Sequence, residues 1–464
     1  MDLISNVWSS FISLLEVTVS VLGDIVWGPI TLVLIVGTGI FLTIRLGFLQ
    51  IFNLPYALKL VFFPSKKKQK DIKEDGDISH FQSLMTALAA TIGTGNIAGV
   101  ASAILLGGVG AVFWMWVAAF FGMATKYGEA ILAVKYRVVN EKGEISGGPM
   151  YYIEKGLGWK WLAVLFALFG FLASFGIGNM TQSNTVAASL ESSFNITPWI
   201  TGIVLTILAG LVILGGIKRI GRVASIVVPF MAVVYLVGGL IIIFMNISMV
   251  PEALSTIVTA AFTGESVAGG ILGTAIRYGV ARGVFSNEAG LGSAPIAAAA
   301  AKTDYPGRQA LVSMTGTFLD TIIICSITGL VIVMSGLYSG MESDRSGVLT
   351  GEAFNALLPG FGGYIVTFGI VFFAFTTVLG WSYYGEKCFG YLFGDHNAHY
   401  YKVVYVLFVF VGAVSQLDLI WGIADIFNAL MAIPNLIALL FLSGVIVKET
   451  KKFQEFRRGE RLEP

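Results

Sequence analysis

The residues best placed to do chemistry lie in TIGTGNIAG, Thr91 to Gly99, inside a block that otherwise reads as a membrane helix. Gly93 and Gly95 let a backbone approach a ligand with no Cβ in the way. Asn96 is an expensive side chain in hydrocarbon and can offer an amide oxygen or nitrogen nearby. A helix broken at this depth leaves N–H and C=O groups without intrahelical partners, each costing several kcal/mol if nothing satisfies it. A ligand can satisfy them. The free N–H groups and positive dipole end of one half-helix suit a carboxylate. The free carbonyls of the other half suit a cation or an ammonium, so one broken helix can hold a zwitterion and a sodium ion together. The alternative is that the glycines only permit close helix packing, which explains most of the 56 glycines in such a chain.

A second polar break echoes the first. GVFSNEAGLGSAP begins at Gly283 and carries Asn287 and Glu288, followed by a small-residue half-helix. Two adjacent hydroxyls, Thr376 and Thr377, occur in FAFTTVLGWSYYGEK, Phe373 to Lys387. With carbonyls across a gap they suit a hard, oxygen-seeking cation. Threonines in helices also bond back to their own backbone. GIGNMTQSN, Gly176 to Asn184, adds Asn179 and Gln182. Asp320 and Glu288 are the deepest acids, each a functional candidate or half of a structural ion pair. Lys126 and Glu129, three residues apart, read as a structural pair near an inner helix end. Arg277 and Arg282 are candidates to pair with Asp425 as an outer gate.

The elements that must position these groups are membrane helices. Of 464 residues 56% are hydrophobic and 12% charged, against about 25% charged in a soluble domain. Apolar blocks are long enough to cross a bilayer at roughly 20 residues each. The reading is an all-α polytopic membrane protein with eleven spans near 27–48, 83–107, 110–137, 160–190, 197–216, 221–247, 266–300, 308–338, 363–388, 399–416 and 419–446. Trp8 to Leu22, interrupted by Glu16, reads as an interfacial amphipathic helix, and Pro64 to Asp77 as a charged linker. If the first span runs inward, the inner segments hold 26 of the 29 Lys and Arg residues. That bias puts the N-terminus outside and the C-terminus in the cytoplasm. A net charge of +1 gives no case for nucleic acid. All three histidines fall at the inner surface, which argues against a histidine proton relay. The short His spacing in DHNAH, 395–399, is read as a solvated loop and no metal site. Cys325 and Cys388 read as packing residues.

The two breaks lie in the second and seventh spans, five spans apart, and an odd shift inverts the topology of the second copy. Paired broken segments in corresponding positions point to a transporter binding site. The organisation expected is an N-terminal amphipathic segment, first helix and linker over 1–82, a first inverted repeat over 83–247, a second over 248–446, and a cytoplasmic tail over 447–464. A channel would favour a continuous pore over paired breaks. An enzyme would need a metal cluster or a serine–histidine pairing at depth. A structural or signalling protein has no use for two broken helices.

The chain resembles a known family. GGVGAVFWMWVAAFFG, Gly107 to Gly122, is similar to the hallmark stretch of the alanine/glycine:cation symporters, also called sodium:alanine symporters. GTGNIAG at 93–99, SGGPMYYIEKGLG at 146–158 and FSNEAGLGSAP at 285–295 are similar too, and the resemblance covers nearly the whole chain. It implies the LeuT-like five-plus-five inverted repeat with one extra N-terminal helix, and alternating-access uptake of alanine and glycine coupled to sodium, or to protons in some members. By the same resemblance the substrate carboxylate meets backbone N–H groups of Thr94 and Gly95. Its ammonium meets carbonyls of Thr91, Phe285 and Ser286. Sodium binds the Ala89 and Ile92 carbonyls and the Thr376 and Thr377 hydroxyls, while Asn96, Gln182, Asn287 and Trp381 line a small pocket. The partners implied are the substrate and the lipid bilayer of the cell membrane, with no obligatory protein. Residues 97–106 contain no arginine, whereas several relatives of this fold carry one after the first break as an outer gate.

Overall fold

A computed structural model describes residues 15–63, 76–263, 273–342, 345–415 and 418–462. Among these the chain is almost wholly helical, with one two-stranded hairpin pairing Val138–Val139 with Ile145–Ser146. Eight helices are long and apolar enough to cross a membrane: Leu15–Arg45, Ala111–Lys135, Lys160–Phe194, Gly216–Met245, Pro306–Ser335, Gly362–Phe393, Asp395–Val414 and Ile420–Phe441. The other three expected spans take shorter forms. Pro198–Ile213 has 16 residues, and the segments expected at 83–107 and 266–300 are each split into two helices.

The first split runs His80–Thr91, a 3-10 turn over Thr94–Asn96, then Ala98–Gly107. Ser79 opens it with a capping box, accepting from the Gln82 N–H while Gln82 accepts from the Ser79 N–H. The second runs Thr274–Asn287, an irregular link, then Ala294–Ala299. Two helices lie outside the expected spans: Ser346–Leu357 packs on Ala98–Gly107 of the first broken helix, and Val250–Ala261 on Ala111–Lys135 and Ser326–Ser335.

Two expectations need adjustment. The interfacial helix expected over 8–22 begins outside the described residues. From residue 15 it is helical to residue 26 and, after Trp27 and Gly28, passes into Pro29–Arg45. Its described part therefore continues the first membrane helix, and Glu16 does not interrupt it because it sits exposed near the end. Residues 64–75 of the charged linker lie outside the described residues, and the tail expected over 447–464 belongs to a helix, Ser443–Leu462.

The packing separates a polar interior from an apolar exterior. Ile207, Leu211, Ile226, Phe230 and Phe244 are more than half exposed, an outward surface suited to lipid and costly in water. Ala111–Lys135 is the central post, buried continuously from Gly122 to Val134 and packed on Pro29–Arg45, Thr274–Asn287 and Pro306–Thr317. Packing is reciprocal between the halves: Gly216–Met245 lies on Gly362–Phe393, Asp418–Phe441 lies on Lys160–Phe175, and Pro198–Ile213 lies on Ala398–Val414. The hallmark aromatics serve this packing. Trp114 Nε1 donates to the Ala261 carbonyl at 3.2 Å and Trp116 Nε1 to Ser326 Oγ at 2.8 Å.

Candidate functional site

The first break begins where Ile92 leaves helical geometry and Gly93 is extended. Asn96 folds back over it: its Oδ1 accepts from the Gly93 N–H at 2.9 Å, and its own N–H donates to the Gly93 carbonyl at 3.2 Å. Among the described residues the N–H groups of Thr94 and Gly95 have no acceptor, and no donor reaches the carbonyls of Thr91, Phe285 or Ser286. All five residues are at least partly buried. The breaks face each other closely enough that a methyl on Gly95 would sit 3.2 Å from Ser286 Cα and 3.3 Å from the Phe285 ring. Gly95, from the set the resemblance gives to a carboxylate, thus lies beside Phe285 and Ser286, from the set it gives to an ammonium.

On the other side of the first break stands Gly362–Phe393. Its Gly380 packs so tightly that a methyl there would lie 2.7 Å from the Ala90 nitrogen. That contact brings Thr377 Oγ1 to 3.1 Å from the Ala89 carbonyl and 3.5 Å from the Ile92 carbonyl, while it also lies 3.0 Å from the Phe373 carbonyl. Thr376 Oγ1 shares the Phe373 carbonyl at 3.0 Å but turns its other side to Met231 Sδ at 3.5 Å. Successive side chains on a helix point about 100° apart, so one hydroxyl enters the cluster and the other stands at its margin. The Phe373 carbonyl, which the sequence reading did not include, is a fifth oxygen. A Cβ on Gly93 would come within 2.6 Å of Thr377 Oγ1 and 3.5 Å of Gln182 Oε1, so only glycine fits there.

Gln182 arrives through a π-helical turn at Gly176–Met180, a local bulge that recurs at functional sites. Its Nε2 donates to the Ile177 carbonyl at 2.9 Å, and its Oε1, like Thr94 Oγ1, is buried with no partner among the described residues. Asn179 Nδ2 donates to the Tyr405 carbonyl at 2.6 Å, and its Oδ1 too is buried with no partner among the described residues. Trp381 packs over Gly178 and donates from Nε1 to Glu288 Oε1 at 2.8 Å.

Several side chains expected to line the pocket also hold the breaks in shape. Asn96 Nδ2 donates to Asp320 Oδ1 at 2.7 Å and lies 3.3 Å from Cys325 Sγ. Ser286 Oγ donates to the other Asp320 oxygen at 2.9 Å. Asp320, on a π-helical stretch at Phe318–Cys325, is therefore a staple between the two breaks. Its carboxylate and its carbonyl both engage the Asn96 amide nitrogen, while Asn96 Oδ1, which accepts from the Gly93 N–H, keeps a second lone pair. Asn287 is committed likewise: Nδ2 donates to Thr321 Oγ1 at 3.0 Å and Oδ1 accepts from the Ala289 N–H at 2.9 Å. Cys325 belongs to this polar cluster and does more than pack.

The second break is built from Glu288 to Ser293. Glu288 takes a left-handed conformation, φ 56°, and accepts from Ser293 Oγ at 2.5 Å. Gly292, φ 84°, could carry no side chain in any case: a Cβ would strike Phe166 and Pro149 at 2.7 Å. Lys126 and Glu129, expected to pair with each other, are not joined by a bond. Both reach this break, Lys126 to the Asn287 carbonyl and Glu129 to the N–H groups of Gly290 and Gly292. Sequence reasoning missed this, and missed Asn435, which donates to Glu129 at 2.6 Å. The available signal was two opposite charges inside an apolar helix.

The gate expectation divides. Arg282 faces Asp425 at 3.8 Å, but Arg277 pairs with Asp24 at 2.6 Å, because the helix preceding Trp27 reaches over it. A cavity of about 260 Å³ lies among these charges, with Trp27 and Tyr278 also in its wall. At the opposite ends of the broken helices, Ser83 Oγ donates to the Ala297 carbonyl at 2.9 Å and the Lys302 N–H to the Ile78 carbonyl at 2.7 Å.

Two facing broken helices, freed backbone groups between them and an apolar exterior define a helical membrane protein of the broken-helix transporter class. The fold is similar to the crystal structure of MhsT in complex with L-phenylalanine, with a TM-score of 0.54 at 13% identity, covering 81% of this chain and 99% of that one. In sequence the chain is 61% identical to the sodium/alanine symporter AgcS of Methanococcus maripaludis over 95% of this chain and 98% of that protein. It is 53% identical to an uncharacterized transporter of Haemophilus influenzae, over 95% and 96%. The family model described as the sodium:alanine symporter family matches residues 12–463, and the chain belongs to that family. It is accordingly a multi-pass membrane transporter and not an enzyme, a secondary carrier in which sodium is the coupling ion and alanine the cargo.

Proposed function

We propose that the chain takes up alanine and glycine by alternating access, with both cargo and sodium held chiefly by backbone groups of the first break. The observation that carries this reading is the set of unpaired groups facing one another: the Thr94 and Gly95 N–H groups, the Thr91, Phe285 and Ser286 carbonyls, and the orphan oxygens of Thr94 and Gln182. A small zwitterion matches that set in charge. Its carboxylate meets Thr94 and Gly95; its ammonium meets Thr91, Phe285 and Ser286; Gln182 and the faces of Phe285 and Trp381 bound the side-chain space. Asn96 and Asn287 act on this space from behind, by fixing the breaks.

Sodium occupies the oxygens of Ala89, Ile92, Phe373 and Thr377, with Thr376 at the margin. Five neutral oxygens suit a hard monovalent cation. The ion joins the first break to Gly362–Phe393, cargo then joins the two breaks, and the bundle rocks inward. Carrying one positive charge inward gains about 2.3 kcal/mol per 100 mV.

The wider assignments belong to the same reading. Eleven spans are counted by adding the two broken helices and Pro198–Ile213 to the eight long ones. The first, within 1–82, stands outside two inverted repeats, 83–247 and 248–446, for which the reciprocal packing of the halves is support, and residues 447–464 form the tail. The distribution of Lys and Arg favours a cell-membrane protein with its N-terminus outside and its C-terminus in the cytoplasm. The bilayer is its only required partner. Labelled alanine and glycine uptake into liposomes holding the purified chain alone tests the proposal. Saturable uptake driven by an inward sodium gradient is expected for both. Uptake driven equally by a proton gradient without sodium, or conductance far above carrier turnover, would overturn it.

A further inference from the structure

Ala111–Lys135 carries two charges into the protein interior, Lys126 at 3% exposure and Glu129 at none. Residues three apart share a helix face, and here that face meets the second break. Lys126 Nζ donates at 2.6 Å to the carbonyl of Asn287, the last residue of its half-helix and hence at the negative end of the dipole. Glu129 Oε1 accepts at 3.1 Å from each of the Gly290 and Gly292 N–H groups, which no helix uses. Asn435 Nδ2 holds the same oxygen at 2.6 Å and the Gly290 carbonyl at 2.9 Å. A cation therefore sits on one freed carbonyl and an anion on two freed amides. That is the pattern an amino-acid zwitterion would make at a broken helix, supplied here by one neighbouring helix.

The two breaks are thus chemically unequal. At the first, the freed groups at Thr94 and Gly95 are unpaired; at the second, those at Asn287, Gly290 and Gly292 are met by side chains of the chain itself, while the Phe285 and Ser286 carbonyls stay open toward the first break. Buried charges cost several kcal/mol when not compensated, and the half-helix end and the two amides supply the compensation.

We infer that Lys126 and Glu129 serve as a resident substitute ligand for the second break. They keep its Asn287, Gly290 and Gly292 backbone groups satisfied at every stage of the cycle and leave the Phe285 and Ser286 carbonyls turned toward the first break. They are positioning residues and do not touch the cargo. In this arrangement Thr274–Ala299 travels with Ala111–Lys135 as one body, and exchange of cargo and sodium rearranges the first break while residues 288–293 keep their shape.

The inference rests on the reading that alanine binds between the breaks, and hydrogen–deuterium exchange on the wild-type transporter separates the two. With sodium, alanine is expected to protect residues 93–97 at least tenfold and to leave 288–293 unchanged. Absence of protection at 93–97 defeats the binding reading. Equal protection appearing at 288–293 defeats the resident-ligand inference alone. Uptake kinetics give the second measurement. Lys126→Met is expected to raise the alanine half-saturation about tenfold while the sodium half-saturation stays within twofold. Glu129→Leu should do the same, and Glu129→Gln, which keeps an oxygen for the two amides, should restore it to within about threefold. A merely structural role would lower the maximal rate and leave both half-saturations in place, and that result would overturn the inference.

Discussion

Thr377 sets its hydroxyl 3.1 Å from the carbonyl of Ala89, a residue 288 positions earlier in the chain. The contact joins the last turn of His80–Thr91 to the middle of Gly362–Phe393, and the Ile92 and Phe373 carbonyls complete the cluster. Here a hydroxyl bridges the first break to Gly362–Phe393, so occupancy by a cation would couple the two.

Thr377→Ala is expected to raise the sodium concentration for half-maximal alanine uptake about tenfold, the equivalent of roughly 1.4 kcal/mol, close to the lower end of what a polar contact to a charged group contributes. Thr376→Ala, which removes a hydroxyl turned partly toward Met231, should shift it less than threefold. Sodium titration of uptake at fixed alanine checks both. Equal shifts would mean that both hydroxyls ligate, and no shift in either would remove the site from this helix.

Asn96→Leu is expected to abolish alanine binding by loss of the break's shape. The substitution takes a donor from buried Asp320 and an acceptor from the Gly93 N–H together. Leaving such groups unsatisfied costs about 1–3 kcal/mol each, more where one is charged. Thermal unfolding of the purified protein should therefore fall by several degrees alongside the loss of uptake. A variant that unfolds like wild type but fails to bind would restore Asn96 as a direct contact.

How far the sequence reached can be judged from these same residues. The breaks were legible because Gly-Thr-Gly-Asn and Ser-Asn-Glu have no place inside an apolar helix unless something satisfies them. Thr376 and Thr377 were legible as a pair, but not which one enters the cluster, since that depends on the rotation fixed by Gly380 against Ala90. Asn96 and Asn287 were recognised as polar residues at the breaks, yet their amides bond inward to Asp320 and Thr321. Polarity at a site does not reveal which way a side chain faces. Lys126 and Glu129 were read as neighbours in sequence, whereas their partners lie more than 150 residues away.

The hairpin at Val138–Ser146 should confer a pH dependence of its own. Burial alone would raise the Glu144 carboxyl, but Lys387 at 3.2 Å, with Lys402 and Lys142 nearby, more than offsets this and holds it below the ordinary glutamate range. A carboxylate with a lowered folded-state pKa contributes stability above its unfolded value, about 4.3, and loses it as pH falls through the folded value. Thermal stability from this contact should be complete at neutral pH and decline only below about pH 4.3. Glu144→Gln should lower the neutral-pH stability slightly, since the group is substantially exposed, and flatten the acid limb. An unchanged acid limb would remove Glu144 as its source.

The Arg282–Asp425 pair should act as a weak latch rather than a lock. At 3.8 Å with each side chain about a quarter exposed, it belongs among ion pairs worth about 0–1 kcal/mol, and Arg282 Nε and Asp425 Oδ1 have no other partner among the described residues. Its position gives it leverage. Arg282 lies 5.7 Å over the ring of Phe285, whose carbonyl is assigned to the cargo, and Trp27 Nε1 donates to the Asp425 carbonyl at 3.2 Å. Opening must separate Thr274–Asn287 from the last membrane helix, and this pair spans that seam. Asp425→Asn should therefore change the maximal alanine uptake rate about two- to fivefold and leave the sodium half-saturation unchanged, because Thr377 is untouched. Raising ionic strength with an inert salt at constant sodium should shift the wild-type rate toward the variant's, since salt screens partly exposed pairs, and should leave the variant alone. A variant whose rate still follows ionic strength would place the latch elsewhere, with Arg277 and Asp24 next in line at 2.6 Å.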